Sequence, residues 1–249
     1  MNREQLLASL RGAPVAERVI TALDVADRGA ALRLAAALGP RGRLVKVGLE
    51  LFTAAGPAVV ADLRAAGRDV FLDLKLKDIP NTVAGAVRAA CALDVSLLTL
   101  HADGGRRMLQ AAAEAARAGA AGGRRPALLA VTVLTSLGAD ELEETAPGGG
   151  TPAERVVRLA RLAWEAGCDG VVCAPPDLRD LRAALGPEIL AVTPGVRPAG
   201  AGGDDQRRVA TPAAAFADGA DYLVVGRPVT GAADPGAALH AITEELCRR

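Results

Sequence analysis

The sequence predicts an α/β chain folded as a single-domain (β/α)8 barrel of the TIM type. Three observations carry that expectation. Eight short β-branched or aliphatic runs alternate with alanine-rich helical patterns along the 249 residues. The interval from one run to the next averages about 29 residues, a comfortable length for one βα unit. Polar residues gather where the runs end, and no GxGxxG follows the first of them, which argues against an open doubly wound sheet.

The elements follow in order. The opening MNREQLLASLRGAP is charged and amphipathic and is expected to form a short helix before the first strand. Strands are predicted at 19–25, 44–48, 70–76, 95–101, 128–134, 170–173, 189–193 and 222–226. Each reads as a near-continuous apolar run, as strands covered on both faces must. Helices are predicted at 28–38, 53–66, 81–92, 105–118, 152–166, 177–185, 211–218 and 236–247. Thr151-Pro152 with Glu154, and Thr211-Pro212, supply a capping hydroxyl and a proline in the first turn. Glycines at 67, 119, 167, 186 and 219 mark helix ends.

Composition narrows the function. Lysine plus arginine equals aspartate plus glutamate at 29 each, so the net charge is zero. That balance gives no electrostatic footprint for nucleic acid and no polybasic signal for a membrane. Five aromatic residues in all leave little for base-stacking platforms. The apolar runs are too short to span a bilayer, and the N-terminal stretch lacks the apolar centre of a signal peptide. A cytoplasmic protein is expected. Cys91, Cys168, Cys173 and Cys247 fit no zinc spacing, and His101 and His240 are far apart, so the cysteines read as free thiols.

One compositional detail is sharper. Only three of the 29 cationic side chains are lysines: Lys46, Lys75 and Lys77. Arginine is effectively never deprotonated, whereas an ammonium gives up a proton in a suitable pocket. In a barrel the strand C-terminal ends carry the chemistry, because eight loops converge there. Those ends hold Asp24, Lys46, Asp73, Lys75, Asp78, His101, Thr135, Ser136, Thr193, Gly226 and Arg227.

Two constellations stand out. Strand alternation places Asp73, Lys75 and Lys77 on one side and Leu72, Leu74 and Leu76 on the side facing the helices. Charges pointing into a barrel must pair with one another or with a ligand. Lys46 on the preceding strand and Asp78 just beyond this one extend the set, so an alternating Lys–Asp–Lys–Asp array is expected. A lysine among carboxylates in a partly dry pocket is a good general acid. The second constellation lies after the seventh and eighth strands, the common phosphate site of this fold. There Arg227 can fork onto phosphate oxygens, Gly226 admits close backbone approach and Gln206 can donate from its amide. The glycine-rich stretch between Pro198 and Asp205 is expected to close as a lid.

With these residues assembled, the chain resembles the orotidine 5′-phosphate decarboxylase family. The resemblance rests on Ala22-Leu-Asp24, Val45-Lys-Val-Gly48, Asp73-Leu-Lys-Leu-Lys-Asp-Ile-Pro-Asn-Thr82, Val133-Leu-Thr-Ser136, Val192-Thr-Pro-Gly-Val-Arg197, Asp205-Gln-Arg-Arg208 and Gly226-Arg-Pro228. It implies a homodimeric, cofactor-independent and metal-free enzyme making UMP, with a nucleotide substrate. Lys75 would protonate C6 of the pyrimidine, and Asp73 would face the substrate carboxylate, with Lys46 and Asp78 completing the charge array. Asp24 and Lys46 would touch the ribose hydroxyls. Thr135 and Ser136 would sit over the pyrimidine, and Pro194 would line the pocket. Gln206, Arg227 and the Gly226 backbone would hold the phosphate, with Arg197 in the closing loop. Asp78, with Ile79 and Thr82 beside it, would serve the neighbouring subunit's site. Lys77 departs from the pattern, since many members carry histidine there. Two other readings share parts of this set: a magnesium-dependent sugar-phosphate decarboxylase with the same Asp-x-Lys-x-x-Asp element, and a catalytically silent nucleotide-binding barrel.

Overall fold

The computed structural model of the chain describes residues 1–120, 124–197 and 210–248. Eight parallel strands close into a barrel in sequence order, with β1 (Val19–Ala22) pairing both β2 (Leu44–Val47) and β8 (Tyr222–Val225). Between them run β3 (Asp69–Leu76), β4 (Leu97–His101), β5 (Ala127–Val131), β6 (Gly170–Val172) and β7 (Leu190–Thr193). The strand period sets two apolar layers. On β8, Tyr222 and Val224 join the cluster inside the barrel, while Leu223 and Val225 join the one between barrel and helices. Leu72, Leu74 and Leu76 face that outer layer, as alternation predicts.

A short helix, α1 (Arg3–Arg11), closes the N-terminal end of the barrel. Asn2 and Gln5 cap it reciprocally, which satisfies two backbone donors of its first turn. Leu6 and Leu7 pack into the inner cluster, and the Tyr222 hydroxyl donates to the Leu10 carbonyl at 2.8 Å. The Arg3 guanidinium lies 3.2 Å from the centroid of the Trp164 ring. Function is thereby confined to the opposite mouth.

Near the floor, Arg125 and Asp169 form a buried bidentate pair, with N–O distances of 2.6 and 2.8 Å. Asp169 also accepts the Leu128 N–H at 2.9 Å, so it links β5 to the start of β6. Removing one partner leaves the other charge buried and uncompensated. Asp169→Ala is expected to lower the unfolding free energy by about 3–5 kcal/mol, read as a lower urea midpoint at unchanged slope.

The helices α2 (Arg28–Ala37), α5 (Pro80–Ala92), α6 (Arg106–Ala118), α8 (Pro152–Ala166), α9 (Leu178–Leu185), α10 (Pro212–Ala217) and α12 (Pro235–Cys247) agree closely with the sequence expectation. The helix predicted at 53–66 is instead two: α3 (Leu49–Ala55) and α4 (Pro57–Ala65). Gly56 at φ 62° followed by Pro57 breaks the run between them. Two short helices had no sequence expectation, α7 (Ala139–Thr145) after β5 and α11 (Arg227–Thr230) after β8. The predicted strands at 19–25 and 128–134 overran: past β5, Val133 and Leu134 line the mouth, while past β1, Leu23 and Val25 pack into the layer between barrel and helices.

None of the four cysteines, all among the described residues, forms a disulfide. Burial pushes the Cys168 thiol up to about 12, so it is inert. Among the described residues no helix is long and apolar enough to cross a membrane.

Candidate active site

The C-terminal mouth holds a cavity of about 310 Å³. Its polar wall comes from Asp24 after β1, Lys46 on β2, Asp73 and Lys75 on β3, and Arg197 and Arg227 on the far side. Phe71, Val131, Val172 and Val224 supply an apolar base from the strand residues that precede the mouth. A small polar ligand with one flat apolar face suits such a lining.

The charged residues are linked in a chain. Lys46 Nζ donates to Asp24 Oδ1 at 2.8 Å and lies 3.8 Å from Asp73 Oδ2. Lys75 Nζ donates to the same Asp73 oxygen at 2.9 Å. Two ammonium groups and two carboxylates thus balance at a partly buried site, which removes the cost of isolated buried charge. Lys75 is the more open amine, its side chain 29% exposed against 11% for Lys46. Gly48 lies close beside this pair: a Cβ there would stand 2.9 Å from Lys46 Nζ and 3.4 Å from Asp24 Oδ1, so the amine would have to shift.

The local form of β3 is irregular at this point. Leu72 pairs with Leu98 and Leu76 with Leu100, so residues 73–75 all face Thr99. Lys75 itself adopts φ 51°, a left-handed conformation uncommon for a residue with a side chain. Such backbone costs about 1–3 kcal/mol and persists where surrounding contacts fix it. The Lys75 N–H is taken by Thr99 Oγ1 at 2.9 Å, and that hydroxyl donates to Asp73 Oδ1 at 2.9 Å.

Of the residues predicted from sequence, Asp24, Lys46, Asp73, Lys75, Thr135, Pro194, Arg197, Gly226 and Arg227 line the cavity. The array differs from expectation in one member. Asp78 stays out of the cavity, because β3 ends at Leu76 and the chain turns at once toward α5. Its Oδ1 accepts the Ile79 N–H at 2.6 Å, and Asp24 takes the fourth place within one chain. Ile79 is 67% exposed, and Thr82 and Ser136 are exposed outside the lining. Lys77 does not share the side of Asp73 and Lys75. Lying beyond the strand end, it donates to Asp103 at 2.7 Å on the rim. His101 and Thr193 lie outside the lining, and burial holds the imidazole below the usual histidine range while Asp103 pulls the other way. Gln206 and the 198–205 stretch fall outside the described residues.

Sequence reasoning missed the apolar base and the Thr99 link. Phe71 was findable, since it alternates with Asp73 and Lys75 on one strand face. Thr99 was not, because its contacts depend on a shift of register between β3 and β4.

After β8, Gly226 precedes α11, and a Cβ on it would come 3.8 Å from Ala22 Cβ and 3.9 Å from Asp24 Oδ2, both in the cavity wall. Among the described residues no group of three or more histidine, cysteine or carboxylate side chains could hold a metal.

Fold and cavity together define a barrel enzyme whose charged mouth, with Arg197 and Arg227 in its wall, suits a small anionic ligand. Residues 17–242 match the family described as orotidine 5′-phosphate decarboxylase / HUMPS. The chain belongs to that family. It is 53% identical over 92% of its length to orotidine 5′-phosphate decarboxylase of Moorella thermoacetica, covering 92% of that protein. Against the enzyme of that name from Halorhodospira halophila the identity is 55%, over 94% of this chain and 97% of the relative. The crystal structure of orotidine 5′-phosphate decarboxylase from Lactobacillus acidophilus superposes with a TM-score of 0.82 at 41% identity, over 91% of this chain and 97% of that one.

Proposed function

We propose that the chain converts orotidine 5′-phosphate to UMP and CO2, with Lys75 as the group that protonates C6. The observation that carries this reading is the ammonium of Lys75, held 2.9 Å from Asp73 at a mouth whose far wall carries Arg197 and Arg227. The C6–carboxylate bond breaks with its electron pair left on C6, and CO2 departs. The resulting vinyl carbanion has no adjacent electron sink, so a fixed positive charge must stabilise it. The Lys75 ammonium offsets that charge and then donates a proton to C6. Asp73, beside the leaving carboxylate, raises the energy of the bound acid relative to the departing neutral CO2. Lys46, 3.8 Å from Asp73 Oδ2, offsets its charge and, with Asp24, presents donors and acceptors to the ribose hydroxyls.

Thr135 and Pro194 flank the pyrimidine, with Ser136 entering from the same loop. Arg227 and the Gly226 backbone hold the phosphate, with Arg197 on the same wall, and Gln206 is the further donor expected from the sequence. Phosphate binding, remote from C6, supplies energy for closure and water exclusion. Asp78, Ile79 and Thr82 stand exposed at the rim of the same mouth, a placement that suits service to a neighbouring subunit in a homodimer. The reaction scheme takes place in the cytoplasm and draws on no cofactor.

The test is direct assay of UMP formation from orotidine 5′-phosphate, with and without a chelator. Turnover indifferent to the chelator is expected, since the amine of Lys46 occupies the place where a related sugar-phosphate decarboxylase would set a metal-binding carboxylate. Chelator-sensitive turnover of a sugar phosphate would favour that relative's chemistry. Nucleotide binding with no turnover would favour a silent barrel.

A further inference from the structure

We infer that Thr99 is a positioning residue for decarboxylation, fixing Asp73 and Lys75 together through a single hydroxyl. The inference rests on the reading of Lys75 as the proton donor. Thr99 lies in the middle of β4 and is fully buried. Where β3 gains two residues on β4, Thr99 alone faces residues 73–75. The ladder cannot serve every backbone group of such a stretch, and a buried N–H without an acceptor is costly. The Thr99 hydroxyl takes that role for the Lys75 N–H at 2.9 Å.

A hydroxyl has one proton and two lone pairs, so accepting from Lys75 leaves its proton for another group. That proton goes to Asp73 Oδ1 at 2.9 Å. Each Asp73 oxygen then has its own partner: Oδ1 the hydroxyl, Oδ2 the Lys75 ammonium at 2.9 Å. Without the hydroxyl the carboxylate is free to rotate about its terminal torsion, which is a broad, soft coordinate. Oδ2 would lose its fixed position between the amine and the place of the leaving carboxylate. The left-handed backbone of Lys75 would lose the acceptor of its N–H at the same time. One side chain therefore sets both the rotation of the Asp73 carboxylate and the backbone root of the proton-donating Lys75. Binding of phosphate, which engages the wall of Arg197 and Arg227, does not depend on it.

The test is a set of variants at position 99 assayed for kcat and KM, with thermal melting as the check on folding. Thr99→Val keeps shape and β-branching but deletes the hydroxyl, and kcat is expected to fall about 10- to 100-fold, the size of effect a misplacement near 1 Å produces. KM for orotidine 5′-phosphate is expected to stay within about threefold, because remote contacts carry the binding. Thr99→Ser restores the hydroxyl and is expected to recover most of kcat. Should the valine variant fail to fold, Thr99→Ala reads the same split. Valine or alanine variants with near wild-type kcat, a rise in KM at unchanged kcat, or a serine variant as slow as valine would each overturn the inference. Lys75→Ala runs beside them as the control. If it keeps turnover, the lysine assignment fails; if it loses turnover while Thr99→Val does not, only the positioning role fails.

Discussion

Lys75→Ala is expected to reduce decarboxylation by about 10⁴-fold or more, since it removes a positioned general acid and a preorganised charge at once. Affinity for UMP is expected to survive, because the residues proposed to hold phosphate and ribose, Arg227, Gly226, Asp24 and Lys46, lie on other elements of the wall. Steady-state kinetics and calorimetric binding of UMP separate the two effects. Mixing this variant with Asp78→Ala gives a sharper result if the sites are shared across a homodimer. A hybrid dimer then has one site with both defects and one with neither, so random reassortment of a two-fold dimer recovers roughly a quarter of wild-type turnover. Recovery on mixing cannot arise if each chain completes its own site.

Arg227→Ala should act on binding instead. A charge-assisted hydrogen bond contributes about 1.5–3 kcal/mol, so KM is expected to rise about 10- to 100-fold. Part of the loss should appear in kcat, because binding energy from a phosphate remote from the reacting centre can be spent on the transition state there. Orotidine without its phosphate serves as the comparison. Wild type is expected to use it poorly and the Arg227 variant no worse than wild type does. Equal performance of wild type on both substrates would end the assignment of the phosphate to this wall.

The barrel was legible because its signals are local and repeated. Strand residues buried on both faces read as apolar runs, and the spacing of the runs suits one helix each. The charged mouth was legible for a related reason. Asp73 and Lys75 alternate with leucines on one strand, and lysine is so rare here that its placement is informative. Lys77 left the side expected for it, and Asp78 stays outside this chain's own cavity, because alternation holds only while the strand lasts, and the strand stops at Leu76. The split of the second helical region at Gly56-Pro57 was written in the sequence but masked by the apolar pattern running through it. Thr99 belongs to a different category. Its role comes from a two-residue mismatch between neighbouring strands, which no single-strand period can reveal. Cavity walls such as Val133 and Leu134 were taken for strand, since residues lining a pocket and residues in a ladder can share the same chemistry.

The most direct measurement of the central claim is a crystal structure of the protein with UMP bound. The account predicts C6 within hydrogen-bond distance of Lys75 Nζ, the pyrimidine under Thr135 and Pro194, and the phosphate on Arg227 and the Gly226 backbone. UMP seated with C6 turned away from Lys75, or with its phosphate on the lysine side of the mouth, would contradict it.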